Sequence, residues 1–379
     1  MSCMRNIRYR NAFECASMEK KRMEAAVRYR LLGSSGLRVS EFALGTMTFG
    51  EPRSWGIDER TARLILDKFA EAGGTFLDTA NIYSDGNAER ILGDFLRPDR
   101  DRFVVGTKYT LQTRPGDLNS AGNHRKNLVR SVEASLRSIG TEYVDLLWVH
   151  TREAWTPVVE VMRALDDLVR SGKVLYIGVS DWPAWEVAEA NTTAELRGWT
   201  PFVALQSRYN MLERTPESDL IPMADAFDLA VVAWGPLAEG RLTGKYRAGG
   251  QGRLRDDAAE GIFQHSWSGP DETVDLVARI AGDIGCTPAQ VALAWLAARR
   301  GNVIPLLGAT SVSQLDENLA AADVHLDDDQ LRVLDKASAP SLGFPHDLLR
   351  RENVTIGTYG DQWRLVDDRR TRQRRSTYI

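Results

Sequence analysis

The sequence predicts an α/β fold of the (β/α)8 type: a TIM barrel preceded by an N-terminal β-hairpin and followed by extra C-terminal helices. Apolar runs of strand length recur eight times, alternating with segments of helical periodicity. No G-x-G-x-x-G turn occurs anywhere, although a doubly wound open sheet would place one after its first strand. A chain of 379 residues suffices for one large closed core, so no second domain is needed.

Residues 1–27 carry Arg5, Arg8, Arg10, Lys20, Lys21 and Arg22 with little periodicity and read as a disordered extension. The barrel is expected over 28–340, and 341–379 form a C-terminal segment with a basic tail of five arginines between Arg369 and Arg375. From Tyr29, apolar and polar residues alternate around Gly33 to Gly36, which predicts a hairpin that plugs one end of the barrel. The strands are then expected at Phe42–Gly45, Thr75–Leu77, Phe103–Gly106, Val144–Val149, Val174–Gly178, Val203–Leu205, Ala230–Trp234 and Val303–Leu306. Thr61–Ala72, Asn127–Ile139 and Pro157–Arg170 read as intervening helices. Ser84 to Asn87 reads as a loop, and Ala88–Leu96 as a helix with Asn87 as its N-cap.

A formal net charge of −4 argues against a nucleic-acid partner. Cys3, Cys15 and Cys286 lie far apart with no C-x-x-C and no neighbouring histidines, so neither a disulfide framework nor a metal site is expected, and a cytoplasmic setting fits. No apolar run is long enough to span a bilayer. The fragment from Gly235 has the glycine spacing of a P-loop, but Arg241 and Leu242 stand where Lys and Ser or Thr belong. Oligomeric state leaves no mark in the sequence.

In a barrel of this type, catalytic groups gather at the C-terminal ends of the strands. Asp78, Lys108 and His150 follow three consecutive apolar runs, and Tyr83 lies in the loop above Asp78. A phenol is a poor acid at neutral pH unless a cation stabilises the phenolate. Lys108 can supply that cation, Asp78 can hold Lys108 by a salt bridge, and His150 can hydrogen-bond a substrate oxygen. Proton donation to an oxygen that is gaining negative charge suits carbonyl reduction, whose hydride must come from a cofactor.

At this point the sequence resembles the aldo-keto reductase superfamily. The matching stretches are LGTMTFG (Leu44 to Gly50), FLDTANIY (Phe76 to Tyr83), GTKY (Gly106 to Tyr109), YVDLLWVH (Tyr143 to His150), IGVSDW (Ile177 to Trp182), QSRYN (Gln206 to Asn210), WGPLAEGRLTGKY (Trp234 to Tyr246) and GATSVSQLDEN (Gly308 to Asn318). The resemblance implies a TIM barrel using NADPH, with a tetrad on Asp78, Tyr83, Lys108 and His150 in which Tyr83 is the general acid. It also implies a cofactor site. Thr46, Ser180, Asp181, Gln206 and Trp234 would meet the nicotinamide end; Gly235, Pro236, Leu237, Gly240, Leu242, Gly244 and Lys245 the pyrophosphate; and Gly308, Thr310, Ser311, Gln314, Glu317 and Asn318 the adenosine end. Two departures stand out. The family usually has Asn where this chain has Asp181, and no Lys or Arg lies between Gly308 and Asn318 to meet a 2′-phosphate, which keeps NADH as the alternative cofactor.

Trp55, Tyr109, His124, Trp182, Arg208 and Trp267 are expected to line the substrate mouth, and Tyr246 to Pro270 to form a lid over it. The expected activity is NAD(P)H-dependent reduction of a small aldehyde or ketone. Arg208 and His124 motivate a narrower reading, a keto-sugar or nucleotide-sugar reductase. A cofactor-binding regulatory subunit is the alternative from another class.

Overall fold

A computed structural model describes residues 27–50, 56–247 and 271–367. Eight parallel strands close into a barrel in the order β10-β3-β4-β5-β6-β7-β8-β9. They are β3 (Ala43–Gly45), β4 (Phe76–Asp78), β5 (Val104–Tyr109), β6 (Val144–Val149), β7 (Val174–Ser180), β8 (Phe202–Arg208), β9 (Ala230–Trp234) and β10 (Asn302–Leu307). Every expected strand is present. Several run one to three residues further than their apolar cores, because Asp78, Lys108 and Arg208 are polar yet still paired within the sheet.

Alternation along the strands sorts the core into two layers. Phe76, Val104, Leu146, Trp148, Ala204, Val232 and Ile304 fill the barrel, whereas their sequence neighbours Leu77, Val105, Leu147, Val149, Leu205 and Val231 pack outward. The outer layer receives the helices. In α1 (Glu59–Glu71), Ala62, Ile65, Leu66, Phe69 and Ala70 bury one face, and Asp58 caps the helix by accepting from the Thr61 amide at 2.7 Å. Burial of each of the larger side chains stabilises the fold by roughly 1.5–3 kcal/mol, so this stripe outweighs the cap, which contributes about 1 kcal/mol.

Strands β1 (Tyr29–Leu31) and β2 (Arg38–Ser40) form an antiparallel hairpin. Its Leu32 and Val39 join the cluster inside the barrel, so the hairpin closes the N-terminal end as expected. The closure is tight. A Cβ at Gly33, where φ is +58°, would stand 2.1 Å from the Val203 carbonyl oxygen.

Helix α2 spans Asn87–Leu96, so Asn87 is its first residue rather than its cap; Gly86, with φ of 88°, takes the cap position. The segment expected as a loop is a tight turn over Tyr83–Gly86, with Ser84 and Asp85 in the left-handed region at φ of 50° and 54°. The remaining helices are α3 (Arg125–Ile139), α4 (Val158–Arg170), α5 (Ala184–Arg197), α6 (Leu220–Ala226), α7 (Asp271–Ile284), α8 (Pro288–Ala297) and α9 (Val312–Leu319), followed by α10 (Asp328–Ala337), α11 (His346–Leu349) and α12 (Glu352–Tyr359). The last three follow the barrel. Trp295 donates to Asp335 at 2.9 Å and Arg214 to the Asp335 carbonyl at 2.9 Å, which ties α10 to α8 and the loop after β8. Among the described residues, no helix is long and apolar enough to cross a membrane. The expected N-terminal extension, the Arg-rich tail and most of the expected lid lie outside the described residues.

Candidate active site

The residues that strand alternation points inward at the C-terminal rim build one constellation. Lys108 is fully buried, and its three ammonium hydrogens have three acceptors: the Asp78 carboxylate, the Thr79 carbonyl oxygen at 2.8 Å and the Tyr83 phenol oxygen at 3.2 Å. Asp78 accepts a second hydrogen bond from Gln206 Nε2 at 3.1 Å. His150 stands edge-on to Tyr83, with ring centroids 6.0 Å apart and planes at 82°. The tetrad read from the strand ends is therefore assembled in space.

The floor beneath it is Trp148. The indole fits because Gly106 and Gly178 leave room: a Cβ at Gly178 would lie 2.4 Å from Trp148 Cε3, and one at Gly106 would lie 2.8 Å from its Nε1 and 3.6 Å from Asp78 Oδ1.

Burial pushes the Asp78 carboxyl above its ordinary range, while Lys108, Gln206 and Trp148 pull it back. Burial works against the charge on Lys108, but Asp78 and Tyr83 together outweigh it and the ammonium stands above its ordinary value. The sequence suggests that Lys108 would draw the Tyr83 phenol down. In the structure burial is the larger effect and the phenol stands above its ordinary value, opposed by Lys108. Burial, aided by Lys108, brings His150 down to about 3, so its imidazole is neutral at pH 7. Its Nδ1 is buried without a hydrogen-bond partner.

Tyr83, Asp78 and His150 face a cavity of about 990 Å³. Its wall includes the expected Ser180, Asp181, Gln206, Trp234, Gly235, Pro236, Leu237, Gly240, Lys245, Gly308, Thr310, Gln314, Glu317 and Asn318. The Trp234 indole donates to Asp181 Oδ1 at 3.1 Å, which fixes the ring in the wall. Asp181 occupies a left-handed turn, φ 53°, at the end of β7, and burial raises its carboxyl, with Trp234, Ser180, Arg208 and Lys108 opposing.

Four expected cofactor residues stand behind this wall. Thr46 is buried and donates to the Asp78 carbonyl at 3.2 Å. Leu242 packs in the outer core. Gly244 ends the 3-10 turn of Ala238–Thr243, and Ser311 caps α9 by accepting from the Gln314 amide at 3.2 Å.

The expected substrate residues need more correction. Tyr109 is wholly buried on the outer side of β5, because its neighbour Lys108 points inward. Trp182 is buried against Phe202 at 6.3 Å between ring centroids, beneath the Arg152 guanidinium. His124 caps α3 by accepting from the Asn127 amide. Arg208 donates to Glu213 at 2.9 Å, and its guanidinium stands 5.7 Å from the centre of the Trp234 ring. None of the four lines the cavity; Trp55 and Trp267 lie outside the described residues.

The cavity wall also includes Met47, Ile57, Leu111, Thr151 and Leu306, which the sequence reading missed. Leu111 follows Thr110, whose φ of 120° is an outlier for a β-branched residue; its hydroxyl donates to Asn123 Oδ1 at 2.7 Å. No motif marks that turn. Strand alternation from Lys108 could have ruled out Tyr109.

A phenol backed by a buried ammonium, with a neutral imidazole beside it, opens on a cavity at the rim of a (β/α)8 barrel, an arrangement suited to carbonyl chemistry. Comparison with known proteins agrees: the aldo/keto reductase family matches residues 41–339, and the chain belongs to that family. It is 37% identical over 354 residues to norsolorinic acid reductase of Aspergillus flavus, covering 89% of each chain. It is 35% identical over 339 residues to aryl-alcohol dehydrogenase [NADP(+)] of Phanerodontia chrysosporium, covering 84% of this chain and 87% of that one. Aldo-keto reductase ausK of Aspergillus calidoustus is 34% identical over 350 residues, 87% of each chain. The chain is thus an oxidoreductase that acts on small carbonyl compounds with a nicotinamide cofactor.

Proposed function

We propose that the chain reduces aryl aldehydes or ketones with NADPH, and that Tyr83 donates the proton. The observation that carries this reading is the bond from the Lys108 ammonium, itself paired with Asp78, to the Tyr83 phenol oxygen at the cavity wall. Burial keeps the phenol protonated and therefore able to donate. As the proton leaves, negative charge develops on an oxygen 3.2 Å from a fixed cation, and Lys108 stabilises that charge without rearranging.

His150 has a separate task. An unpartnered buried acceptor costs less than an unpartnered buried donor. The neutral ring therefore keeps Nδ1 bare and carries its hydrogen on Nε2, where it can donate to the carbonyl oxygen and hold it beside Tyr83.

The cavity residues fit the cofactor. Gln206 spends its Nε2 on Asp78, which leaves its carbonyl oxygen, with Ser180 and Asp181, for the carboxamide. Trp234 would offer a flat face to the ring, Gly235, Pro236, Leu237, Gly240 and Lys245 would hold the pyrophosphate, and Gly308, Thr310, Gln314, Glu317 and Asn318 the adenosine end. Bound there, the nicotinamide supplies the hydride that no side chain can. NADPH rather than NADH is favoured by the name of the Phanerodontia relative. Met47, Ile57, Leu111 and Leu306 make the wall apolar, which fits an aryl substrate. With Arg208 paired to Glu213 and His124 capping a helix, the residues that motivated a sugar substrate are otherwise occupied.

The test follows nicotinamide absorbance with purified protein, aryl aldehydes and keto-sugars, comparing NADPH with NADH. Faster turnover of aryl carbonyls with NADPH supports the proposal. Turnover confined to keto-sugars or to NADH contradicts it, and tight cofactor binding without turnover points to a regulatory subunit.

A further inference from the structure

We propose that Asp181 is a specificity residue for the oxidation state of the cofactor: its carboxylate favours the cationic oxidised nicotinamide ring over the neutral reduced one. The inference rests on the cofactor reading above and deepens it. Asp181 opens onto the cavity beside Ser180, Gln206 and Trp234. Trp234 Nε1 binds its Oδ1 at 3.1 Å, so the charge and the flat ring that faces the nicotinamide are held as one unit. The two cations that act on it also pair with other carboxylates, Lys108 with Asp78 and Arg208 with Glu213. Asp181 therefore brings a carboxylate to the wall, with Arg208 and Lys108 acting on it as opposing charges.

Reduced nicotinamide is neutral, and its oxidised form carries a positive charge on the ring. Water screens such an attraction strongly, but a cavity filled by cofactor excludes water and strengthens it. By linkage, tighter binding of the oxidised form lowers the potential of the bound couple and shifts the equilibrium on the enzyme toward carbonyl reduction.

The experiment measures dissociation constants of NADP+ and NADPH, by quenching of protein fluorescence, for the full chain and for Asp181→Asn. The assay runs at about pH 8, well above ordinary carboxylate values. Asparagine keeps an oxygen for the Trp234 indole and removes the charge, and a melting curve for each protein confirms that the variant folds. The expected result is a rise of about tenfold in the ratio Kd(NADP+)/Kd(NADPH), the low end of common coupling strengths. For a two-electron couple this corresponds to about +30 mV in bound potential. Equal weakening of both forms would mark Asp181 as merely structural and overturn the proposal, as would an unchanged ratio. If the unaltered chain bound neither form, the cofactor reading would fail first and this inference with it.

Discussion

The Lys108 ammonium lies 3.2 Å from the Tyr83 phenol oxygen and 4.8 Å from the centre of its ring, with Asp78 on its other side. One buried cation thus joins a structural ion pair to the proposed proton donor. Stability and chemistry are coupled at a single nitrogen.

That coupling predicts a pH-dependent cost for Lys108→Met. Breaking a buried ion pair by removing one partner typically costs about 3–5 kcal/mol. The Asp78 left behind can protonate, and burial already pushes its carboxyl up. A carboxyl raised in the folded state binds more protons there than in the unfolded chain, so the variant should lose stability as pH rises. Urea unfolding at about pH 5 and about pH 8 should therefore give the larger deficit at the higher pH. In the Asp78→Asn/Lys108→Met double variant that difference should vanish.

His150 predicts the opposite slope. With its folded value at about 3 and an ordinary value of 6.5, the unfolded chain binds the extra proton between those limits. Its contribution is complete above about 6.5 and is lost as pH falls toward about 3. In His150→Gln the acid limb of the stability profile should be shallower by up to one proton, measured by thermal melts across that range.

Leu111 and Tyr109 separate wall from core. Leu111→Ala should raise KM for aryl substrates several-fold with little change in cofactor affinity, because Leu111 lines the cavity. Tyr109→Phe should leave KM unchanged, since the Tyr109 side chain is buried behind the strand. Steady-state kinetics on both variants check the assignment.

Gly178→Ala tests the floor of the site. The added methyl would meet Trp148 Cε3 at 2.4 Å, and the overpacking should destabilise the fold by roughly 1–3 kcal/mol. Adding Trp148→Phe should recover part of that loss in denaturant unfolding.

The barrel and tetrad were legible because period-2 runs and strand-end polar residues follow directly from how a barrel closes. Much of the cavity wall was legible from the resemblance of Trp234 to Tyr246 and of Gly308 to Asn318. The rest of the wall was not. Tyr109, Trp182 and His124 are residue types that suit a pocket as well as a core or a cap, and what decides between them is the parity of a strand and the course of a loop. Leu111 reaches the cavity through an outlying Thr110 backbone supported by Asn123, thirteen residues away. Such a turn has no local signature. Lys108 does draw the Tyr83 phenol down, as expected, but the larger opposing effect of burial depends on neighbours distant in sequence.

The most direct measurement is single-turnover reduction of an aryl aldehyde by the Tyr83→Phe variant preloaded with NADPH. The ring and its packing persist, and only the hydroxyl that Lys108 binds is removed. NADPH affinity within about twofold of the unaltered chain, with a rate lower by roughly 10²–10⁴-fold, is the predicted result. Full turnover by that variant would contradict Tyr83 as the proton donor and would require a different source for the proton.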